Sequence, residues 1–277
     1  MKRTVQDRLI SGFNSLRYAL TEPVKLGLIR ARQELLYREK TGNPLVSVYV
    51  PTYNRGDILM ERAVPSVLAQ TYKNFEFIIV GDHCTDNTEE LVLRIDDPRV
   101  RFYNLPERKY RYPETAENHW FAGPVVPANK ALELVRGTWI ARIDDDDTWT
   151  EDHLEVLLRF AQEAGHEFVS AAYLEERDGK QKIINEAGDV PRIGAPQTWL
   201  YRSYLKIFRY NINCWRKSWN RVNDLDLKDR FYRAGVRMGF LDRVVAHVLP
   251  RPGEKTIGLD AYKRTEKEKN AHFKFQR

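Results

Sequence analysis

Four consecutive aspartates, residues 144–147, are the most unusual chemical feature of this sequence. Adjacent carboxylates repel one another, so such a cluster is unfavourable unless it is solvated or binds a cation. Mg²⁺ and Mn²⁺ prefer carboxylate oxygens and commonly share their coordination sphere with phosphate oxygens and water. Residues 138–143 have the pattern of a buried strand that would end at the aspartates. We therefore predict a metal and diphosphate site; the alternative, a solvated turn capping the next helix, is favoured for Asp147 alone.

Two further predicted strands end in residues that suit a nucleotide. The first strand runs into Thr52 and Tyr53, and the second runs into Asp82. A carboxylate can accept a hydrogen bond from the imino group of a base, and an aromatic ring can stack on a base. Taken singly, Thr52 and Asp82 have the character of ordinary turn residues. Together, at neighbouring strand ends, they predict a nucleotide site beside the aspartates.

Alternating strands and helices are expected to position these residues. The pattern predicts strands near 45–50, 75–80, 100–103, 138–143 and 167–174, and helices near 57–70, 127–136 and 150–164, with another beginning at Asp86. This alternation predicts an α/β fold with a doubly wound, mostly parallel sheet flanked by helices. In such sheets ligands bind beyond the carboxyl ends of the strands, where the polar residues above are predicted to lie.

Residues 1–43 have the pattern of an amphipathic helical arm. One apolar stripe is formed by Val5, Leu9, Phe13, Leu16 and Leu20, and a second by Val24, Leu28, Ala31 and Leu35. Pro23 lies between them and predicts two helices rather than one. The stripes favour an arm that packs on the main domain or on another subunit. The alternative is attachment to a membrane surface through the arginines and the apolar stripe.

The net charge of +6 is concentrated at the two ends of the chain. Residues 1–40 carry +5 and the basic C-terminal tail, residues 251–277, carries +4, which leaves −3 for the body. A nucleic-acid-binding domain usually carries its basic face on the globular part, so we expect no nucleic-acid partner. No apolar run reaches the roughly 18–20 residues that span a bilayer. The two cysteines exclude a disulfide scaffold. We expect a cytoplasmic protein with peripheral membrane contact as an option.

Four sequence blocks resemble the family 2 glycosyltransferases of GT-A fold. They are VSVYVPTYNR at 46–55, SVLAQTY at 66–72, FEFIIVGDHCTD at 75–86 and IDDDDTW at 143–149. The resemblance is close over residues 45–175 and looser to about 250. It implies a GT-A domain at 44–250, with a nucleotide-binding half (44–150) and an acceptor-binding half (151–250). It also implies transfer of a sugar from a nucleotide diphosphate donor.

The resemblance implies roles for individual residues. The residues expected to contact the nucleotide are Pro51, Thr52, Tyr53, Arg55, Asp82, Asp144 and Asp145. Asp146 would be the main ligand of Mn²⁺ or Mg²⁺, with Asp145 as the alternative if the register slips by one. Ala128 replaces an arginine that contacts the diphosphate in the family, and Lys130 could substitute for it. His247 matches a late histidine that binds the metal or the diphosphate in some relatives, although a lone histidine on an apolar strand is more often a core residue.

The resemblance places the general base at Asp224, beside Asn223 where the family usually has glutamate. A base must take a proton from the acceptor hydroxyl as that oxygen attacks the anomeric carbon. Asp226 is the reserve candidate. Asp224 could instead be a carboxylate that favours a helix N-terminus through the helix dipole.

Two stretches resemble substrate-binding segments. Aromatic residues are dense over 198–220 and include Trp199, Trp215 and Trp219, which could contact the sugar rings of an acceptor or could pack beneath the sheet. Residues 104–126 predict a long loop that could cover the site, or that could equally be disordered or pack on the surface. Its cations, among them Arg108 and Arg111, could meet a diphosphate or an anionic acceptor.

Taken together, the sequence predicts an inverting, metal-dependent glycosyltransferase of the hexosyltransferase class. The expected donor is a nucleotide diphosphate sugar, first of all a UDP-sugar, and the expected acceptor is a glycan or a lipid-linked sugar in polysaccharide biosynthesis. A non-catalytic nucleotide- or glycan-binding module that retains the fold is the alternative, which the departures at Asn223 and Ala128 keep open. A nucleotidyltransferase is disfavoured, because no glycine-rich loop follows the first strand.

Overall fold

A computed structural model describes residues 4–38, 42–109, 111–113, 115–216 and 222–264 of the chain. Trp219 and the tail beyond residue 264 lie outside these described residues. The strands are β1 (Val46–Thr52), β2 (Phe75–Gly81), β3 (Val100–Asn104), β4 (Trp139–Arg142), β5 (Thr148–Trp149), β6 (Phe168–Arg177), β7 (Lys180–Ile184), β8 (Leu200–Arg202) and β9 (Met238–Val248). The helices are α1 (Val5–Arg38), α2 (Gly56–Glu61), α3 (Ala63–Leu68), α4 (Thr88–Leu93), α5 (Ala116–Ala122), α6 (Val125–Leu134), α7 (His153–Glu163), α8 (Asn223–Ala234) and α9 (Gly258–Arg264). Short 3-10 turns occupy Pro196–Thr198, Ser203–Ile207 and Ile212–Arg216.

Within the described residues these strands form one sheet, in the order β3-β2-β1-β4-β8-β6-β9-β5, with β7 paired to β6. Strands β3, β2, β1 and β4 are parallel, so the carboxyl ends of β1, β2 and β4 meet at one edge. Strands β1 and β2 are buried along their whole length, which explains why both are nearly continuous apolar runs. The predicted α/β fold with an N-terminal helix is confirmed, and antiparallel pairs enter only in its second half.

The core lies on both faces of the sheet. Successive side chains of a strand point to opposite faces, so Tyr49 packs with α6 and α8, whereas Val48 and Val50 pack with α2, α3 and α7. Both layers bury long aliphatic and aromatic side chains. Because the helices cover the two faces, the strand ends are the part of the sheet left open to a ligand.

The N-terminal arm is one continuous helix, and the prediction of two helices is wrong. Pro23 lies inside α1 and is exposed. A proline removes one backbone hydrogen bond, and here the carbonyl that loses its donor can be solvated. No helix in the described part of the chain is long and apolar enough to cross a membrane.

The arm packs on the domain through a mixed face that combines Leu26, which is 1% exposed, with two acidic residues. Asp7 pairs with Arg216, and Glu22 lies 3.2 Å from Arg230. The predicted stripe from Val5 to Leu20 faces away from the domain, with each of its side chains at least 60% exposed. The arm therefore packs on the main domain as expected, but not through its apolar stripe.

Helix boundaries differ from the predictions where side chains bind the backbone. The helix expected over 57–70 divides at Arg62, whose guanidinium donates to the carbonyls of Asp146 (2.8 Å) and Pro250 (2.9 Å). Helix α4 begins at Thr88, two residues after Asp86, and the Asp86 carboxylate accepts from both the backbone N–H and the hydroxyl of Thr88, as expected of a residue placed to cap this helix. Arg62 thus connects the helices α2 and α3 to the loop that follows β4, and Asp86 connects the loop that follows β2 to α4.

Candidate active site

A cleft of about 390 Å³ lies beyond the carboxyl ends of β1, β2 and β4. The structure brings most of the predicted site residues to its wall, namely Pro51, Thr52, Tyr53, Arg55, Asp82, Asp144, Asp145, Asp146 and Asp224. Their side chains come from strand ends and from the first turn of α8. The residues that the sequence predicts at neighbouring strand ends thus line one continuous cleft.

Asp82 forms one corner of the cleft and is held by two arginines. Its carboxylate lies 3.0 Å from Nε of Arg108 and 2.8 Å from Nη1 of Arg111. The Arg108 guanidinium also lies 3.7 Å above the ring of Tyr53. Since the carboxylate is only 1% exposed, these cations compensate a charge that would otherwise be buried alone.

The segment that supplies these arginines differs from the predicted long loop whose cations meet a diphosphate or an anionic acceptor. It contains α5 and the start of α6, and its arginines contact Asp82 instead. The sequence does not predict that these arginines pair with Asp82, although the cluster of cations and tyrosines after β3 indicates that this segment has a role at the site. His119 of α5 lines the same cleft, and burial together with the Arg108 charge keeps its pKa well below the ordinary value.

Each aspartate of the tetrad has different surroundings. Asp145 is nearly buried and accepts hydrogen bonds from the Thr52 hydroxyl (2.8 Å) and from Arg55 (2.9 Å). Asp144 and Asp146 are more open to the cleft, with side chains 33% and 22% exposed. Asp145 therefore braces the loop against β1, and the alternate residues Asp144 and Asp146 have carboxylate oxygens available to a ligand.

Cations surround the tetrad and balance part of its charge. Arg142 lies 2.8 Å from Asp144, and Arg55 and Arg251 approach Asp146 at 3.5 Å and 3.9 Å. Burial and the neighbouring Asp145 charge nevertheless raise the pKa of Asp146 to about 6. The negative charges are thus only partly compensated, and a further cation would be stabilised here.

Arg251 belongs by sequence to the basic tail, yet the structure places it in the cleft wall with Glu254 and Thr256. An ion pair of 2.9 Å with Glu254 fixes its guanidinium. Arg62 reaches the tetrad from the break between α2 and α3. Neither arginine carries a sequence signal, because their proximity to the aspartates depends on chain segments that are far apart.

Lys130 and His247 are not among the residues that line the cleft in the described part of the chain. Lys130 pairs with Glu133 at 3.3 Å and lies over the ring of Tyr103. His247 is half-buried on β9, opposite Thr148, next to a residue that does reach the cleft. The geometry therefore does not bring Lys130 to a bound diphosphate, and it leaves His247 beside the site.

Asp224 lies in the first turn of α8 and lines the cleft together with the tetrad. Burial raises the pKa of its carboxyl, while the Arg142 charge opposes this rise. Asn223 donates instead to the Phe121 carbonyl at 3.1 Å. The reserve candidate Asp226 is buried, pairs with Arg230 at 3.4 Å and does not line the cleft. Of the two aspartates in the first turn of α8, Asp224 is the one that lines the cleft.

The predicted acceptor contact of Trp199 is not supported. Its side chain is 1% exposed, its ring packs against Phe168 at 5.2 Å between centroids, and its indole N–H donates to the Gly194 carbonyl at 2.8 Å. Trp215 packs against the same core and does not line the cleft. Trp120 of α5, which belongs to the segment predicted to cover the site, lines the cleft instead.

A test separates the structural role of Trp199 from an acceptor role. Replacing a buried tryptophan by alanine removes its packing and leaves a cavity, so Trp199→Ala should lower the free energy of unfolding by about 3–5 kcal/mol. Urea unfolding followed by fluorescence would measure this loss, and Trp199→Phe should restore most of it. Unchanged stability together with weaker acceptor binding would contradict the core assignment.

Residues 47–218 match the family described as Glycosyl transferase family 2. The putative colanic acid biosynthesis glycosyl transferase WcaA of Escherichia coli K12 is 38% identical over 47% of this chain and 42% of its own length. The enzyme WfgD of Escherichia coli, a UDP-Glc:alpha-D-GlcNAc-diphosphoundecaprenol beta-1,3-glucosyltransferase, is 30% identical over 58% of this chain and 55% of its length. The chain thus spans only about half the length of these relatives.

Solved structures share the fold. The structure of S. aureus TarS 1-349 in complex with UDP-GlcNAc superposes with a TM-score of 0.60 and 20% identity, over 76% of this chain and 60% of that one. The mannosyltransferase PcManGT from Pyrobaculum calidifontis, in complex with GDP-Man and Mn²⁺, gives a TM-score of 0.56 and 18% identity over 84% and 70%. The matched sequence and the GT-A architecture agree, and the chain belongs to glycosyltransferase family 2.

Proposed function

We propose that this protein transfers a sugar from a nucleotide diphosphate donor to an acceptor hydroxyl, with inversion, in glycan or polysaccharide biosynthesis. The observation that carries the proposal is the single cleft in which Asp82, the aspartate tetrad and Asp224 face a common space. Asp82 is suited to hydrogen-bond a nucleotide base, and the tetrad is suited to bind a cation and a diphosphate. Asp224 is suited to abstract a proton from the acceptor. A non-catalytic binding module would need the carboxylate on α8 only as a negative charge at the helix N-terminus.

The donor in this proposal is a UDP-sugar. Asp82 retains acceptor capacity beyond its two arginines, because a carboxylate offers about four lone-pair directions, and a uracil imino group could use one. WfgD is named for a UDP-Glc donor, and TarS has been solved with UDP-GlcNAc. The Arg108 guanidinium covers the ring of Tyr53. A nucleotide base could therefore stack on Tyr53 only after displacing the guanidinium, or could stack on the guanidinium so that it lies between the base and the ring.

A divalent cation, Mn²⁺ or Mg²⁺, is proposed to bind at Asp146, with Asp144 beside it. No three potential ligand side chains converge on one point within the described residues, so the protein would supply one or two carboxylates and the diphosphate the rest. That division suits Mg²⁺, which commonly keeps phosphate and water ligands. When bound, the cation neutralises charge on the departing diphosphate. The hard oxygens of the tetrad fit this role.

Asp224 is proposed to act as the general base. Its carboxylate would accept the proton of the acceptor hydroxyl while that oxygen forms a bond to the anomeric carbon. The bond from the anomeric carbon to the diphosphate breaks on the opposite face, which inverts the configuration. Arg55 and Arg251, which lie near Asp146, are placed to hold the leaving diphosphate.

The acceptor is proposed to be a glycan or a lipid-linked sugar, and the protein to act in the cytoplasm. WfgD is named for a diphosphoundecaprenol-linked acceptor, and TarP of Staphylococcus aureus for poly(ribitol-phosphate). Trp120 and Tyr173 line the cleft and offer aromatic surface to a sugar ring. Cys84 and Cys214 are buried thiols, which suits a reducing compartment.

A thermal-shift panel tests the donor site. We expect UDP with Mn²⁺ to raise the unfolding midpoint by several degrees, since a ligand at 100 times its Kd stabilises by about 2.7 kcal/mol. GDP, CDP and dTDP should give smaller shifts, and UDP without metal should give little. No shift with any nucleotide would contradict the donor-site proposal.

Two variants sharpen this panel. Arg251→Ala removes a cation from the cleft and should weaken the UDP shift, whereas Lys130→Ala lies outside the cleft and should leave it unchanged. Loss of the shift in Lys130→Ala alone would return the diphosphate contact to Lys130, as the sequence resemblance implies.

A further inference from the structure

Ion pairs fix the rotation of α1 about its own axis. Asp7 and Glu22 are each only 6% exposed and pair with Arg216 and Arg230 of the domain. Arg30 donates two hydrogen bonds of 2.7 Å to the two oxygens of the buried Glu167 carboxylate. Such bidentate contacts are directional, so α1 cannot turn its other face inward without breaking them.

The face opposite these pairs is apolar and exposed. Its side chains recur every three or four residues and are 60–74% exposed: Val5, Leu9, Phe13, Leu16, Leu20, Val24 and Leu28. At about 1.5 Å per residue the stripe runs for about 35 Å along the helix. We call these residues the outer stripe. A continuous apolar surface of this length on a folded domain indicates a docking surface rather than scattered exposure.

The charges that border the outer stripe are all of one sign. Over residues 5–33, where the structure describes the side chains of α1, the exposed charged residues are Arg8, Arg17, Lys25 and Arg32. The acidic residues of the same span, Asp7 and Glu22, are buried against the domain. A second copy docked through its own outer stripe would bring like charges together. An anionic lipid surface would complement both the apolar stripe and the cations.

We propose that α1 lies in the plane of an anionic lipid bilayer, with the outer stripe buried among the acyl chains and the bordering cations at the headgroups. Because α1 packs on α8, the membrane-bound helix and the turn that carries Asp224 belong to one packed unit. If the acceptor is lipid-linked, which rests on the function proposed above, docking would hold the cleft close to it. The docking itself does not depend on that function.

Vesicle co-sedimentation of the full chain, without nucleotide, tests the proposal. We expect binding to phosphatidylcholine vesicles that contain about a third phosphatidylglycerol, and weak binding to phosphatidylcholine alone. Phe13→Asp with Leu20→Asp should lower the partition coefficient by at least about tenfold, because two side chains lose their burial. A matched control, Leu93→Asp with Ile183→Asp, replaces equally exposed apolar residues elsewhere and should bind like the wild type.

The cations are tested separately. Arg17→Gln and Lys25→Gln should each lower binding to the anionic vesicles about fivefold, since one cation near such a surface contributes about that factor. Unchanged binding of these variants, or an equal loss in the matched control, would overturn the proposal. So would wild-type protein that stays in the supernatant with anionic vesicles.

Sedimentation velocity tests whether a second copy of the chain, rather than a membrane, covers the outer stripe. A wild-type dimer that Phe13→Asp with Leu20→Asp dissociates would assign the outer stripe to a second copy and overturn membrane docking. The UDP shift, measured without lipid, should be the same in this variant as in the wild type. Failure of docking and failure of the proposed activity therefore give different results.

Discussion

Asp224→Asn is expected to lower kcat by about 10²–10⁴-fold, the usual contribution of a general base. The amide occupies nearly the same volume but cannot accept the proton of the acceptor hydroxyl. Binding of the donor should be retained, because Asp224 lies on α8 and not at the strand ends that are proposed to hold the nucleotide. Steady-state turnover with the UDP-sugar, together with the UDP thermal shift, measures both properties.

Stability gives an independent reading of the same variant. Burial raises the pKa of Asp224 in the folded protein, so its ionised form at neutral pH destabilises the fold relative to the unfolded chain. Asp224→Asn should therefore keep or slightly raise the unfolding midpoint. A carboxylate that only stabilised the N-terminus of α8 would behave differently, since its loss costs about 0.3–1 kcal/mol. Lower stability with unchanged turnover would contradict the assignment as the base.

The raised pKa also sets the direction of the pH dependence. The carboxyl must be ionised to accept a proton, so kcat should fall as the pH is lowered through its pKa. The midpoint of this fall should lie above the range of an ordinary aspartate, about 4. A rate that stays constant to that range would mean that the base is exposed or is another group.

Asp226→Asn is the matched control on the same helix turn. Asp226 is 1% exposed and pairs with Arg230, which also pairs with Glu22 of α1. Removing its charge leaves the buried guanidinium with less compensation, so the unfolding midpoint should fall. At temperatures where the variant stays folded, turnover should remain near that of the wild type. The two aspartates should thus give opposite effects on stability and on turnover.

Asp146→Ala is expected to lower kcat by about 10³-fold, because Lewis-acid stabilisation of a leaving group is worth several kcal/mol. The UDP shift that requires Mn²⁺ should disappear in the same variant. Wild-type protein treated with EDTA should show the same two losses, and excess Mn²⁺ should restore both. Full activity of the wild type in EDTA would exclude a divalent cation from the mechanism.

Neighbouring substitutions test which aspartates hold the cation. Asp147→Asn removes a carboxylate from the same cluster, yet that side chain is 4% exposed, and its loss should have a small effect on metal affinity. Asp145→Asn should loosen the contact with Thr52 and Arg55 and change donor affinity more than metal affinity. Metal affinity lost in Asp145→Asn but retained in Asp146→Ala would shift the ligand register by one residue.

The strand ends are predictable because their information is local. A buried parallel strand needs a continuous apolar run, and the polar residues that follow it must lie at the edge of the sheet. Thr52, Asp82 and the tetrad can therefore be placed together from the amino-acid sequence alone. The role of Asp224, in the first turn of α8, is predicted from the family resemblance and not from the strand pattern. The finer division of labour within the tetrad is not predictable, because it depends on which carboxylate meets Thr52 and Arg55.

Other features depend on distant contacts. The arginines at Asp82, the approach of Arg251 to Asp146 and the burial of Trp199 each join segments that are far apart in the chain. Side-chain type alone does not distinguish a tryptophan that stacks on a sugar from one that packs in a core. Periodicity likewise locates both faces of α1 but does not tell which one meets the domain.

The sequence by itself therefore determined the fold class, the family and the edge of the sheet at which the chemistry is expected, because strand patterns and motif order are local and periodic. Only the tertiary structure decided that α1 turns Leu26 and its acidic residues inward and the apolar stripe from Val5 to Leu28 outward. The reason is physical: the buried carboxylates of Asp7 and Glu22 need the cations that Arg216 and Arg230 supply from the domain.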